Sequence, residues 1–233
     1  MCGWYIHTGG GIRAIKENSF ISSVRLKYMF ALMLPALVFI MLSIRLAGNE
    51  LSGFDDIVYK YVSGFISDGM TVFMKSITFL GTQFALTVIA LAFIVIFRDH
   101  KKLFYLSKIA AVNLMASAIF NEVLKNIYGR QRPDILRLIE ITGLSFPSGH
   151  SMTGLSFYGF IIYLCLKFGK GSWRYIAVLL LSVLILLIGT SRIYLGVHYA
   201  SDVLAGFSLG IVWLAVFITV SDRLYIKVMK GKA

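Results

Sequence analysis

Ser191-Arg192-Ile193-Tyr194-Leu195-Gly196-Val197-His198-Tyr199-Ala200-Ser201-Asp202 is a polar turn between two strongly apolar runs, residues 173–190 and 197–220. It places an arginine, a histidine and an aspartate where the neighbouring composition favours leucine and isoleucine. If the chain is helical from Val197 onward, His198 and Asp202 stand four apart on one face, within reach of each other. A carboxylate on one ring nitrogen fixes the tautomer and makes the other nitrogen a better base or nucleophile. Arg192 adds a planar fork suited to phosphate oxygens. The stretch suits a histidine that attacks phosphorus. Taken alone, it equally suits a satisfied polar pair in a helix bundle beside an arginine anchored at the membrane interface.

The 233 residues are 58% hydrophobic and 15% charged, with a mean hydropathy of +0.80. That is too apolar for a soluble domain, and the apolar residues fall in long blocks. The expected fold is all-α, an integral membrane bundle of six transmembrane helices forming one domain over residues 25–233. The runs are 28–47, 72–97, 103–128, 148–168, 173–190 and 197–220; the third is interrupted by Lys108, Asn113, Asn121, Glu122 and Lys125. Residues 1–24 are polar and Gly-rich without a signal-peptide layout, and are expected to be a poorly ordered cytoplasmic terminus. Cys2 and Cys165 suggest neither a disulfide framework nor a thiolate metal site.

The net charge of +12 mostly reflects topology. Arg13, Lys16, Arg25 and Lys27 precede the first run, and Arg98, Lys101, Lys102 and Lys108 follow the second. Lys167, Lys170 and Arg174 join the fourth to the fifth, and Arg223, Lys227, Lys230 and Lys232 close the chain. All lie on one side of a six-span layout, which the positive-inside rule makes cytoplasmic, with both termini inside. Nucleic acid is not needed as a partner.

Residues 52–69 carry Phe54, Ile57, Val58, Tyr61, Val62, Phe65 and Ile66 at helical spacing. The pattern predicts an interfacial amphipathic helix with Ser52 as its cap and Asp55 and Asp56 in the first turn. Gly206 and Gly210 share a helical face with His198 and Asp202, so another helix is expected to approach closely there.

Two further stretches carry chemistry. In Phe146-Pro147-Ser148-Gly149-His150-Ser151, Ser148 reads as a helix cap whose free N–H groups form an anion site beside His150. Lys125-Asn126-Ile127-Tyr128-Gly129-Arg130-Gln131-Arg132-Pro133 ends the third run with a lysine and two arginines. Each stretch alone suits an ordinary capped helix or solvated cations. Six spans, however, put the loops after the third and fifth runs on the same, extracytoplasmic side, and all three stretches abut those loops.

Together they resemble the signature of the type-2 phosphatidic acid phosphatase superfamily, which also includes vanadium haloperoxidases. Lys125 to Pro133 matches K-x6-R-P, Pro147 to His150 matches P-S-G-H, and Ser191 to Asp202 matches S-R-x5-H-x3-D. The likeness covers residues 103–210, the expected catalytic core, and the six-span layout resembles the branch of bacterial membrane phosphatidylglycerophosphate phosphatases. The resemblance implies that His198 attacks phosphorus, oriented by Asp202, and that His150 protonates the leaving oxygen and then activates water. It implies that Lys125, Arg132, Arg192, Ser148 and the Gly149 N–H hold the phosphoryl oxygens. No metal-ligand pattern such as HExxH or a carboxylate cluster is present, so no metal or other cofactor is expected.

The expected substrate is phosphatidylglycerophosphate, with undecaprenyl pyrophosphate and phosphatidic acid as alternatives. The lipid bilayer is the expected setting, in a bacterial cytoplasmic membrane with an extracytoplasmic site, and no obligate protein partner is inferred. Headgroup choice is assigned to Arg130, Asp134, Arg137, Glu140 and Tyr194. A transporter lined by intramembrane charges fits less well, because the charges gather at one face. Soluble haloperoxidase chemistry fits poorly with six spans.

Overall fold

The computed structural model describes residues 32–230, with side chains through Arg223; the expected poorly ordered terminus at 1–24 lies outside the described residues. Among those residues all regular structure is helical: α1 Leu32–Ala47, α2 Ser52–Ser63, α3 Asp68–Leu80, α4 Gln83–Ile96, α5 Lys101–Tyr128, α6 Gly149–Phe168, α7 Trp173–Tyr194 and α8 Ala200–Lys230. Helices α5 to α8 are each long and apolar enough to cross a membrane alone. The pairs α1–α2, bent by 108°, and α3–α4, bent by 52°, meet the same test only together.

Helix α6 is the centre. It packs against α5, α7 and α8, and Phe157, Tyr158 and Phe160 meet Leu86, Leu114, Ile185 and Ile188 in the main core. The outward faces carry exposed Val112, Met115, Leu179, Leu180 and Leu186, the surface expected against acyl chains. Asn113, which interrupts the third run, is fully paired: it donates to Ser156 O at 2.8 Å and accepts from Trp213 Nε1 at 3.0 Å.

Four boundaries differ from the sequence reading. The amphipathic helix ends at Ser63 rather than 69, and Leu51, not Ser52, occupies its cap position. The second span starts earlier, at Asp68 under a Ser67 cap, and breaks at Gly81-Thr82, where Thr82 caps α4 by accepting from Ala85 N at 3.2 Å. A Cβ on Gly81 would stand 2.5 Å from Ile188 Cγ2, so the break is where α7 comes nearest. The fifth span runs on through Ser191-Arg192 to Tyr194, and α8 starts at Ala200 rather than Val197. At this depth the Arg192 guanidinium is partnered by Thr78 of α3, whose hydroxyl accepts from Nη1 at 2.6 Å. Gly196, at φ +70°, ends the segment, since a Cβ there would collide with the Leu136 carbonyl.

The two glycines of α8 behave as read. A Cβ on Gly206 would lie 2.7 Å from Ser148 O, and one on Gly210 3.2 Å from Met152 O. They bring α8 against the start of α6.

Candidate active site

His198 stands in the turn between α7 and α8, not on α8 itself. The N–H groups of Val197 and His198 donate to Arg192 O at 3.2 and 3.3 Å, which folds the turn back over the end of α7. Asp202 is the third residue of α8, and its Oδ2 accepts from the Tyr199 N–H at 2.9 Å while its own N–H donates to Tyr199 O at 3.1 Å. The carboxylate thus supplies the N3 half of a capping box, taking the N–H that precedes the helix, while a backbone turn closes the other bond. This arrangement holds the carboxylate so that Oδ2 also meets His198 Nδ1 at 3.3 Å. The four-residue spacing therefore works, but through a capped turn rather than a helical face.

The other ring nitrogen settles the tautomer. Arg132 Nη1 lies 3.0 Å from His198 Nε2 and can only donate, so Nε2 accepts and Nδ1 carries the proton toward Asp202. Arg132 is itself fixed by Val197 O at 2.8 Å and Gly143 O at 3.0 Å. His198 is 2% exposed, and burial pulls its pKa down to about 4 against the opposing pull of Asp202. It is neutral at pH 7.

The Ser148 segment joins the same point. Ser148 N–H donates to Asp202 O at 3.0 Å, and its hydroxyl accepts from Ser151 Oγ at 3.0 Å at the start of α6. Asn121 of α5 donates to Pro147 O at 3.3 Å, and a Cβ on Gly149 would stand 2.9 Å from Asn121 Oδ1. His150 follows on the first turn, its ring against Gly81 at the α3–α4 break. It is within electrostatic reach of Arg192, His198, Lys125 and Arg132. His150 Nε2 and Arg192 Nε are buried without a hydrogen-bond partner. Two such atoms within one cationic cluster suit an acceptor-rich ligand.

The structure thus gathers Lys125, Arg132, Ser148, Gly149, His150, Arg192, His198 and Asp202 at one end of the bundle. Lys125, Gly149 and His150 open into a cavity of about 550 Å³ between α4 and α5. Its polar lining also includes Gln83, Thr87, Asn121, Glu122 and Thr153, and Leu91, Leu114, Met115 and Ile119 are among its apolar residues. Among the described residues no three His, Cys, Asp or Glu side chains stand close enough together to hold a metal ion.

Three residues join this cluster in places the sequence did not indicate. Ser145 donates to Asp202 Oδ2 and lies 3.4 Å from His198 Nδ1. Asp55, read as a first-turn charge, is 2% exposed and accepts from Ser201 N, Ser201 Oγ and Arg130 Nη2, each at 2.8 Å. Arg130, assigned to headgroup choice, instead bridges Asp55 and Asp202, with Nη1 2.6 Å from Asp202 Oδ1. Only the run of cations before Pro133 hinted at Arg130, and nothing marked Asp55 or Ser145, whose partners are remote in sequence. Tyr194 is likewise not a headgroup contact: it is buried, its hydroxyl 2.9 Å from Thr71 Oγ1. Arg137 bonds Pro133 O at 2.6 Å, whereas Asp134 and Glu140 remain exposed.

The PAP2 superfamily sequence model matches residues 106–226. Phosphatidylglycerophosphatase B of Bacillus subtilis (strain 168) is 41% identical over 95 residues, covering 40% of this chain and 47% of that protein. The bacitracin transport permease protein BcrC of Bacillus licheniformis is 32% identical over 108 residues, 44% of this chain and 49% of that protein. The chain thus spans about half the length of these curated relatives. The crystal structure of the first transmembrane PAP2 type phosphatidylglycerolphosphate phosphatase from Bacillus subtilis superposes with a TM-score of 0.75 at 27% identity, covering 82% of this chain and 96% of that one.

Proposed function

The chain belongs to the PAP2 superfamily, and we propose that it is a membrane lipid phosphate phosphatase that removes the terminal phosphate of phosphatidylglycerophosphate through a phosphohistidine. One observation carries this reading. A single cavity has Lys125, Gly149 and His150 in its lining, with Gln83, Thr87, Asn121, Glu122 and Thr153 as its other polar residues, and a largely apolar wall of α4 and α5. A phosphate on an acyl-chain anchor fits both kinds of lining; a small hydrophilic phosphate fits only one.

In this mechanism His198 Nε2 attacks phosphorus while Asp202 retains the Nδ1 proton and so holds the ring in place. Arg132, Arg192 and Lys125, with Ser148 and the Gly149 N–H at the start of α6, bind the three peripheral oxygens as charge spreads over them. His150 protonates the departing glycerol oxygen and phosphatidylglycerol leaves. His150 then takes a proton from water, whose oxygen attacks the phosphohistidine; inorganic phosphate leaves and His198 is regenerated. Three cations neutralise the phosphoryl group without a metal. The lysine and arginine asymmetry supports a site on the extracytoplasmic face of a bacterial cytoplasmic membrane, with both termini inside.

The test measures phosphate release by the purified chain in mixed micelles containing phosphatidylglycerophosphate, phosphatidic acid or undecaprenyl pyrophosphate. Phosphatidylglycerophosphate is expected to give the highest kcat/KM, with activity retained in excess EDTA and lost at least 10³-fold, to order of magnitude, in His198→Ala. Preference for another of the lipids would reassign the substrate. Undiminished turnover in His198→Ala would remove the mechanism.

A further inference from the structure

A buried carboxylate beside a histidine nucleophile poses a problem. It orients the imidazole, but an uncompensated negative charge also draws a second proton onto the ring, which would abolish the nucleophile. Asp202 is fully buried and its Oδ2 serves Ser145, Tyr199 N and His198. Its Oδ1 is met by Arg130 Nη1 at 2.6 Å. Arg130 follows the left-handed Gly129 that ends α5, and its guanidinium lies 3.9 Å over the Tyr199 ring. Its other terminal nitrogen is held by Asp55 of α2, whose Val58, Tyr59 and Val62 pack against Ile193, Ala200 and Val203. Asp55 also holds both the N–H and the hydroxyl of Ser201, the residue beside Asp202.

Resting on the reading of His198 and Asp202 given above, we propose that Arg130 and Asp55 are positioning residues of the reaction: docking of α2 through Asp55 locks Arg130 across Asp202, so that Asp202 orients His198 without protonating it. The other charged groups around this pair are Arg132, Arg192 and Lys125 on the phosphate side, His150 from α6, and Asp56 near Tyr199. None of them meets Asp202 Oδ1, which only Arg130 contacts among the described hydrogen bonds. Helix α2 is therefore more than a cover at the membrane interface. It is a support of the catalytic carboxylate, and loss of the Asp55 contacts would both free Arg130 and release the first turn of α8.

Two charge changes of opposite sign test this. Arg130→Met exposes His198 to the full charge of Asp202, and Asp55→Asn removes the carboxylate that holds the guanidinium in place. Profiles of kcat against pH are compared with wild type on the same lipid, so that ionisation of the substrate phosphate cancels. Arg130→Met is expected to lose about 10²-fold in kcat, with KM within about threefold, and to move the acid limb up by about one pH unit. Asp55→Asn is expected to lose less kcat and to move the limb in the same direction by less, because Arg130 is then no longer held across Asp202. Arg130→Lys, which keeps the charge, is expected to restore the limb and part of kcat. Thermal unfolding of each variant reports folding, and Asp55→Asn and Arg130→Lys carry the test if Arg130→Met does not fold. Losses of kcat that track unfolding, or acid limbs identical in all variants, overturn the proposal while leaving the site reading intact. If His198→Ala turns over normally, the site reading itself fails.

Discussion

In the proposed mechanism His198 must be neutral to attack and fixed to attack well, and different neighbours meet the two demands. Burial keeps it neutral, with a pKa drawn to about 4, while Asp202 and Arg132 fix its tautomer from opposite sides. The nucleophile is lost as pH falls through this value. The acid limb of kcat/KM, corrected for ionisation of the lipid phosphate, is therefore expected below about pH 5.5, well under the 6.5 of a free imidazole. A corrected limb at or above 6.5 would show that His198 is more solvated than its surroundings imply. Ser145 belongs at the same scale. Ser145→Ala deletes one donor to Asp202 Oδ2, and a loss of about 10-fold in kcat with little change in KM is expected in steady-state assays.

At the scale of elements, the contact between α6 and α8 registers the phosphate-binding turn against the histidine turn. Gly206 is where the two backbones come nearest: a Cβ would lie 2.7 Å from Ser148 O and 2.9 Å from Ser151 Cβ. Gly206→Ala is expected to destabilise by about 1–3 kcal/mol through overpacking and to cut kcat, because Ser148 must move. Gly210→Ala, whose nearest contact would be 3.2 Å, is the milder partner. Equal unfolding temperatures and rates for the two variants would show that the close approach is not needed. The break at Gly81-Thr82 has a parallel role: it lets α3 offer Thr78 to Arg192 while α4 turns away to wall the cavity.

At the scale of the whole molecule, the loops α5–α6 and α7–α8 carry the site, whereas α4–α5 and α6–α7 carry basic residues at the opposite end. Asp134 and Lys170 are exposed in one loop of each kind. On a Cys2→Ser, Cys165→Ser background, a membrane-impermeant maleimide is expected to label Asp134→Cys in intact cells and Lys170→Cys only after lysis. The reverse pattern would put the site inside the cell.

The sequence by itself determined the membrane class, the number of apolar runs, the helix after the first run and the polar residues that gather at one end, because these depend on composition, local period and short spacing. Residues 125–133, 147–150 and 191–202 each carry their chemistry within one turn or loop, and the alternation of spans places those loops at one end. Only the tertiary structure decided how the histidine is held. The capped turn at Tyr199, the Ser145 hydroxyl and the link from Asp55 through Arg130 to Asp202 join residues up to 146 positions apart. Local pattern carries no trace of such partners: a buried carboxylate at a helix start reads like an exposed one until another helix brings it a guanidinium.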